Sequence, residues 1–425
     1  MKNIPSVNTE EISDYIKNII ESNNSVNKKL PICIWGKPGY GKTDIVEQIA
    51  NDIGYEFISV PIGQFQEMGD LQGLPMKMFP MLTPSGKQTY VPEIEISMLE
   101  KRGWSYDLDR SPVTKCMKPE FVPDEKVHGE KGILLLDDVN RTTYDILNGI
   151  MQLLQNGELV SWKLPKGWHI VLTANPDNGN FNVSTMDEAL ITRCSHLNIN
   201  FDINSWVKWA HENNLHSSCI QFASSNKELM EGINKRSGKF YENSRINPRT
   251  ISHVFSHSKI HIDKYIQSGY QENKCLEHIR TLGFSTVGIE FTEDFITYLR
   301  TGIKNMILPT DIINANSVKL KKIKTEISLL KKKKRIDILN LIIMDLEYYL
   351  LRESEELNKS QYDNLIEILT FGTEDNTGFN RDLITSFWTS LCNVKKRRDY
   401  DSLSTERLKQ ISKITSDSKL IDSYK

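Results

Sequence analysis

The sequence predicts an α/β fold with a parallel sheet, followed by helical regions. Three observations support this prediction. An apolar run over residues 31–35 meets a glycine-rich turn and then a helical pattern, an aliphatic run over residues 133–136 ends in two carboxylates, and the pattern from residue 203 onward is helical. Strands that alternate with helices are typical of a parallel sheet, because each parallel crossover needs a connection of helix size.

The composition is that of an ordinary globular chain with room for two or three domains: 425 residues, 25% charged and 39% hydrophobic, with a net charge of −2. This balance excludes a polycationic chain, so any nucleic-acid contact would have to come from local patches. The six cysteines include no C-x-x-C pair, which argues against a disulfide framework or a zinc ribbon and fits a reducing cytoplasm. No apolar run is long enough to span a bilayer and the N-terminus lacks a signal-peptide core, so we expect a cytoplasmic protein without a membrane partner.

The first predicted element is a helix over residues 8–22, with Asn8 or Thr9 as its cap and isoleucines at helical spacing. The apolar run that follows leads into Gly36–Thr43, which reads G-x-x-x-x-G-K-T, the P-loop pattern. The next predicted helix stops at Gly54, and a second strand is predicted over residues 56–60.

Each residue type in the P-loop pattern has a physical role. Gly36, Gly39 and Gly41 let the backbone take torsions that a side chain would forbid, and their N–H groups can surround a phosphate together with the N-terminal end of the next helix. Lys42 would place an ammonium group near the β- and γ-phosphates, and Thr43 would offer a hydroxyl to Mg²⁺. An ordinary Gly/Pro turn is the alternative, and the flanking strand and helix argue against it.

Residues 61–130 are predicted to be an insertion, because one strand–helix–strand crossover needs only about 30 residues. Within it, the turn Thr83-Pro84-Ser85-Gly86 predicts a hairpin between residues 76–82 and 87–92, and the polar residues 101–126 are expected to form a loop.

The second strong element is the aliphatic strand that runs into Asp137 and Asp138. Four consecutive aliphatic residues suit a central parallel strand that is buried on both faces, and ligands bind at the carboxyl end of such strands. This is the Walker B arrangement, in which Asp137 would hold Mg²⁺ and Asp138 would polarise the attacking water. An acidic strand end at a plain turn is the alternative, and the P-loop makes it the weaker one.

A third strand, residues 169–173, runs into Ala174-Asn175-Pro176. The Asn175 side chain could orient the water between the carboxylates and the γ-phosphate, or it could simply initiate an Asn-Pro turn. Beyond it, the Thr185-x-x-Glu188 capping box predicts a short helix over residues 187–193, and residues 197–201 form the last predicted strand.

The helical remainder starts at residue 203. Asn247 and Pro248 predict a helix start that places Arg249 in the first turn. His253, His257 and His261 share one face of that helix, which could bind zinc but is better explained as a polar face. Two basic stretches, Lys319–Arg335 and Lys395–Arg398, could contact a phosphate backbone or be solvated helix ends, the interpretation we favour. Residues 336–351 predict a buried helix or a partner surface.

These pieces, in this order, resemble the AAA+ ATPases, and most of all the MoxR-type and related AAA_5 ATPases of bacteria and phages. The resemblance covers residues 1 to about 300. The motifs that carry it are Ile34-Trp35-Gly36-x-Pro38-Gly39-x-Gly41-Lys42-Thr43, Asp70-Leu71-x-Gly73-Leu74-Pro75, Leu136-Asp137-Asp138-Val139-Asn140-Arg141, Gly167-Trp168-His169-Ile170-Val171-Leu172-x-Ala174-Asn175-Pro176 and Glu188-Ala189-Leu190-x-x-Arg193.

The resemblance implies a five-stranded parallel sheet with a helical lid, assembled into a ring that is usually a hexamer, with ATP and Mg²⁺ between neighbouring subunits. It implies domains at 1–202 and at 203–300, the second being the lid. Residues 301–425 lie outside the resemblance, and their own pattern predicts a helical C-terminal region. The nucleotide would contact the P-loop residues, Asp137 and Arg249. The implied roles are sensor 1 for Asn175, sensor 2 for Arg249 with Arg245 as competitor, and arginine finger for Arg193 with Arg141 as runner-up.

The chain departs from the family at Asp138, where glutamate is usual, so a slowly hydrolysing switch is also conceivable. The leading hypothesis is an ATP-driven machine that remodels a protein partner, and the resemblance suggests a partner with a von Willebrand factor A domain. A nucleic-acid motor or the NTPase of a defence complex is the second hypothesis, and a nucleotide-gated scaffold is the third.

Overall fold

The computed structural model describes residues 4–176, 184–232, 245–301, 307–353, 357–372, 377–393, 404–417 and 420–421. The chain divides into two compact units, Met1–Asp202 and Ile203–Lys425. The division of the second unit into a lid at 203–300 and a separate region at 301–425 stays a prediction.

Six strands of the first unit form one parallel sheet in the order β1-β10-β2-β9-β8-β3. The resemblance implied five strands; the sixth is the short edge strand β1, formed because the segment before the first helix runs extended beside β10. The strands are β1 Ser6–Val7, β2 Ile32–Trp35, β3 Glu56–Pro61, β8 Lys131–Asp137, β9 Gly167–Ala174 and β10 Ser195–Ile199.

The sheet is buried on both faces, since alternate residues of its strands enter two different apolar clusters. On β8, Ile133 and Leu135 pack in the cluster that contains α1 and α2, whereas Leu134 and Leu136 pack in the cluster that contains α6. This explains why the strand is an unbroken aliphatic run. The helices around the sheet are α1 Thr9–Asn24, α2 Lys42–Asp52, α3 Met68–Gln72, α6 Tyr144–Asn156 and α7 Glu188–Ile191.

The insertion forms its own small antiparallel sheet. Its predicted hairpin is confirmed, because β4 (Pro75–Leu82) pairs with β5 (Gln88–Pro92) and α4 (Glu93–Glu100) follows. The expectation of a loop over residues 101–126 is wrong in part: β6 (Ser105–Tyr106) and β7 (Val113–Cys116) both pair with β4, and α5 (Glu125–His128) follows. Polar side chains misled the prediction, since edge strands of a small sheet can carry them on an exposed face.

Two helix starts illustrate how local chemistry fixes the ends of helices. Asn8 caps α1 in a reciprocal capping box with Glu11, as the sequence predicted for Asn8. The capping box predicted at Thr185 is wrong, because α7 begins at Glu188 and its cap is Asp187, whose carboxylate accepts from the Leu190 N–H at 2.9 Å. Asp187, two residues after Thr185, caps the helix instead.

The second unit is helical throughout its described part. An aromatic core joins α9, α11 and α13, with Phe255 and Phe295 at 5.0 Å between ring centroids. The prediction of a buried helix over residues 336–351 is confirmed by the burial of α16 and the π-type turn Tyr349–Glu353. The helices are α8 Ile203–Glu212, α9 Ser217–Ser225, α10 Lys227–Met230, α11 Pro248–Gln267, α12 Asn273–Thr286, α13 Ile289–Thr301, α14 Pro309–Ile313, α15 Ser317–Lys332, α16 Ile336–Tyr348, α17 Lys359–Leu369, α18 Arg381–Cys392 and α19 Thr405–Thr415.

All six cysteines are free. Within the described ranges, none of the helices combines the length and apolar character that a membrane span requires.

Candidate functional site

The P-loop connects the end of β2 to the start of α2 and is shaped by its glycines. The Gly36 N–H donates to the Ala174 carbonyl at 3.2 Å, and a Cβ at Gly36 would lie 2.4 Å from the Ile199 side chain. Gly39 and Gly41 both adopt left-handed torsions, with φ of 82° and 73°. These close approaches and torsions require glycine, as the motif predicted.

Lys42 is the first residue of α2 and is 7% exposed. Its ammonium group donates to the Gly36 carbonyl at 2.8 Å and to the Asn175 side-chain oxygen at 3.0 Å. The ammonium group therefore lies inside the P-loop, against the end of β9, where a phosphate bound by the loop would contact it.

Thr43 and Asp137, the two residues predicted to hold Mg²⁺, contact each other. The Thr43 hydroxyl donates to Asp137 Oδ2 at 3.0 Å, and the Thr173 hydroxyl donates to Asp137 Oδ1. Thr173 also accepts from the Asp138 N–H at 2.8 Å. One hydroxyl on β9 thus fixes both carboxylate-bearing residues at the end of β8.

Asp138 occupies the left-handed region, with φ 53° and ψ 44°. Asp and Asn enter this region more readily than other residues with a Cβ. Its Oδ1 accepts from the Asn175 amide at 2.7 Å, and its Oδ2 lies 3.5 Å from Arg141 Nε. The Asn175 side chain therefore bridges the Lys42 ammonium group on one side and the Asp138 carboxylate on the other.

Asn140 holds the backbone of Asn175. Its amide donates to the Asn175 carbonyl at 2.7 Å, and its oxygen accepts from the Asn175 N–H at 3.0 Å. Both asparagines are 1% exposed. The Asn-Pro turn that was the alternative for Asn175 does not by itself account for its contacts, because they reach Lys42 on α2 and both Asp138 and Asn140 in the turn after β8.

The residues present fit ATP and Mg²⁺. The oxygen donors of Thr43 and Asp137, side by side, are of the type that Mg²⁺ prefers, and Mg²⁺ completes its shell with phosphate oxygens and water rather than with a cage of protein ligands. Among the described residues there is no group of three or more His, Cys, Asp or Glu side chains that could hold a metal ion. Pro38 lies in the loop between Gly36 and Gly39.

The predicted arginine fingers lie at different places in the first unit. Arg193 follows α7, where its guanidinium donates to the Ala189 carbonyl and, at 2.9 Å, to the Gln155 side chain of α6. It makes none of its described contacts with Lys42, Asp137, Asp138 or Asn175. Arg141, the runner-up, contacts Asp138 of its own chain.

The predicted sensor-2 residues lie in the second unit. Arg249 is exposed in the first turn of α11, whose predicted start is confirmed by the Asn247 cap and by Pro248 at the first position. Arg245 precedes the same helix. Both therefore belong to a different compact unit from Lys42 and Asp138.

Sequence reasoning missed the roles of Thr173, Asn140 and His196. His196 accepts from the Trp35 indole N–H at 2.9 Å and contacts the Ile191 carbonyl at 2.7 Å, so it links the strand before the P-loop to the segment before Arg193. Asn140 stands inside a motif that was recognised, and its position in a turn after a buried strand was the available signal. Thr173 and His196 gave none, because polar residues within strands are common.

The basic stretch of α15 is partly neutralised. Lys319 pairs with Asp311 and Lys324 with Glu367, each at 2.6 Å. Four exposed lysines have no ion-pair partner in the described part of the chain: Lys321, Lys332, Lys333 and Lys334. The second stretch, Lys395–Arg398, lies outside the described residues. On α11 and α12, the rings of His261 and His278 stack with their centroids 4.8 Å apart.

Comparison with known proteins finds a family match, and it lies in the first unit. Residues 31–194 match the family AAA_5, described as the AAA domain of the dynein-related subfamily. The match includes every first-unit site residue from Gly36 to Arg193 and ends before the helical unit.

Two individual proteins are also similar. Lon protease 2 of Borreliella burgdorferi is 26% identical over 134 residues, which are 29% of this chain and 15% of that protein. A closed-state cryo-EM reconstruction of Hsp104 with ATPγS and FITC casein matches at 15% identity and a TM-score of 0.32, over 71% of this chain and 46% of that one. At this TM-score the structural likeness supports no inference, and the chain spans only a small part of the curated relative. The family match and the parallel sheet with its P-loop both support an AAA domain in residues 31–194.

Proposed function

We propose that this protein binds ATP with Mg²⁺ and hydrolyses it. The observation that carries the proposal is the bridge made by Asn175, whose oxygen accepts from Lys42 and whose amide donates to Asp138. The cation suited to the terminal phosphates and the carboxylate suited to polarising water thereby lie on opposite sides of one side-chain amide. A structural turn would not need all three groups.

The chain's residues divide the chemistry between them. The P-loop N–H groups and Lys42 bind the phosphates, while Thr43 and Asp137 would hold Mg²⁺, which neutralises phosphate charge when bound. Asp138 orients and polarises the water that attacks the γ-phosphorus, and Asn175 keeps that carboxylate at a fixed distance from Lys42. Arg249 of the second unit would complete the nucleotide contacts.

Arg193 is proposed to act on the nucleotide of a neighbouring subunit. Its contacts hold it to α6 and α7 rather than to the site of its own chain. A guanidinium from a neighbouring subunit stabilises transition-state charge only when the subunits pack together. Hydrolysis would therefore be coupled to the formation of a ring, and we propose that this ring is a hexamer.

We propose that the protein uses ATP turnover to remodel a protein partner. The support is the similarity of the motifs to MoxR-type ATPases, from which a partner with a von Willebrand factor A domain also follows as a proposal. The named relative is a protease, but the match spans 15% of it, so its activity is not transferred. A cytoplasmic location remains part of this proposal.

The experiment that tests the proposal compares the wild type with Asp138→Asn. Asparagine also tolerates the left-handed backbone, so the turn is retained. We expect ATP binding to persist and kcat to fall about 100-fold or more, since a general base contributes that much. Binding is measured with a fluorescent ATP analogue and turnover by phosphate release. Equal turnover in both proteins would show that Asp138 does not activate the water.

A nucleic-acid-associated motor is the second candidate function, favoured by the four exposed lysines of α15 and its following turn that have no ion-pair partner among the described residues. It predicts that DNA or RNA stimulates ATP turnover and that the stimulation falls steeply with salt. Turnover that does not respond to nucleic acid at low salt would remove this candidate.

A further inference from the structure

The backbone of Asn175 lies just beyond the hydrogen-bond ladder of the sheet. The pairing of β8 with β9 ends at Leu136 and Leu172, and the pairing of β2 with β9 ends at Trp35 and Ala174. Asn175 is 1% exposed at this point, where unpaired backbone groups are costly.

The side chain of Asn140 takes the place of a strand partner. It exchanges two hydrogen bonds with the backbone N–H and carbonyl of Asn175, at 3.0 Å and 2.7 Å. Only a side-chain amide offers one acceptor and one donor in this orientation; aspartate lacks the donor, and glutamine is longer by a methylene group.

Asn140 is itself fixed. It lies in the 3₁₀ turn Val139–Arg141 that follows Asp138, and Val139 is fully buried. The Asn140 carbonyl accepts from the Ser184 N–H at 2.7 Å. The turn that carries Asp138 therefore also determines where the backbone of Asn175 lies.

We infer that Asn140 is a positioning residue for ATP hydrolysis, which holds the Asn175 backbone so that its amide bridges Lys42 and Asp138. The inference rests on the proposed function. Asn140 contacts neither the P-loop nor Asp137 among its described hydrogen bonds, so it acts on catalysis through Asn175 and leaves nucleotide binding to the loop.

The first test is kinetic and uses Asn140→Ala and Asn140→Asp, with Asn156→Ala, an exposed asparagine at the end of α6, as the matched control. We expect kcat to fall about 10–100-fold in both Asn140 variants, because displacement of a positioning group by about 1 Å costs that much. The Kd for ATP should stay within about twofold, since the P-loop is untouched, and Asn140→Gln should recover part of the loss because it keeps the amide.

A double variant separates positioning from a general loss of structure. If Asn140 acts through Asn175, Asn140→Ala combined with Asn175→Ala is no slower than Asn175→Ala alone. Losses that multiply, or a loss of ATP affinity as large as the loss of kcat, would overturn the inference.

Hydrogen exchange supplies a measurement that does not depend on ATPase activity. The Asn175 N–H donates to Asn140, so its exchange should accelerate at least about tenfold in Asn140→Ala, while the amides of Val171 and Leu172 stay protected. Unchanged exchange at Asn175 would refute the inference even if the protein hydrolyses ATP. A wild type without ATP turnover would instead refute the proposed function. The exchange measurement would still test the contact between Asn140 and the Asn175 backbone.

Discussion

The two ends of β9 bury polar side chains in opposite ways. At the carboxyl end, Thr173 and Asn175 are buried and each side chain makes two hydrogen bonds, Thr173 with Asp137 and the Asp138 N–H and Asn175 with Lys42 and Asp138. At the amino end, His169 is 2% exposed, yet neither ring nitrogen has a hydrogen-bond partner among the residues that the structure describes. The same strand thus carries a satisfied polar network and an unsatisfied buried imidazole.

The difference separates the polar groups of this strand that belong to the candidate site from the one that does not. The network at the carboxyl end sets distances between a cation, two carboxylates and an amide. At the amino end, burial and the nearby Lys29 ammonium group lower the pKa of His169 to about 4. The imidazole is therefore neutral at pH 7. Its burial lowers the stability of the fold, and we assign it no role in the site.

The largest expected effect comes from the functional end. Lys42→Ala removes the ammonium group from the P-loop, and we expect ATP affinity and turnover to fall about 100-fold or more, since charge-assisted phosphate contacts in a dry site are strong. Lys131→Ala, an exposed lysine at the start of β8, is the matched control and should leave both unchanged. Titration with a fluorescent ATP analogue checks this, and retained affinity would contradict the assignment of Lys42.

Thr173→Val tests the network itself. Valine has the same shape but cannot accept from the Asp138 N–H or donate to Asp137, which leaves two partly buried groups without these partners. We expect the free energy of unfolding of the first unit to fall by about 1–3 kcal/mol. Thermal unfolding monitored by circular dichroism measures this, and a variant as stable as the wild type would show that the hydroxyl is not needed.

His169→Leu should act in the opposite direction at the other end of β9. The pKa of a histidine is about 6.5 in the unfolded chain and about 4 when folded, so the unfolded state binds more protons between these values and stability is lost as pH falls through this window. The substitution removes this loss. We therefore expect the difference in free energy of unfolding between the variant and the wild type to be about 1 kcal/mol more favourable to the variant at pH 5.5 than at pH 7.5.

The control for this prediction is His253→Leu, which changes an exposed histidine of α11. Melting curves of the three proteins at pH 7.5, 6.5 and 5.5 make the comparison. A wild-type stability that depends on pH no more steeply than that of His169→Leu would contradict the neutral, buried state of His169.

The sequence predicted the parts of the first unit whose chemistry is local. The glycines of the P-loop, the aliphatic strand before Asp137 and the Asn8 cap each have a physical reason within a few residues, and the structure contains all of them. The contacts of Asn140 and Thr173 and the bond from Trp35 to His196 could not be predicted, because they join residues 35 or more positions apart and depend on strand order and register. The strands β6 and β7 were missed for a related reason, since a short polar edge strand is defined by its partner rather than by its own sequence.

The central claim is that the Asn175 amide joins the phosphate-binding cation to the water-polarising carboxylate. The most direct measurement is single-turnover ATP hydrolysis by the wild type and by Asn175→Ala at saturating ATP and Mg²⁺. The account predicts that the variant binds ATP with nearly unchanged affinity and that its rate of hydrolysis falls about 100-fold or more. Equal rates in the two proteins would contradict it.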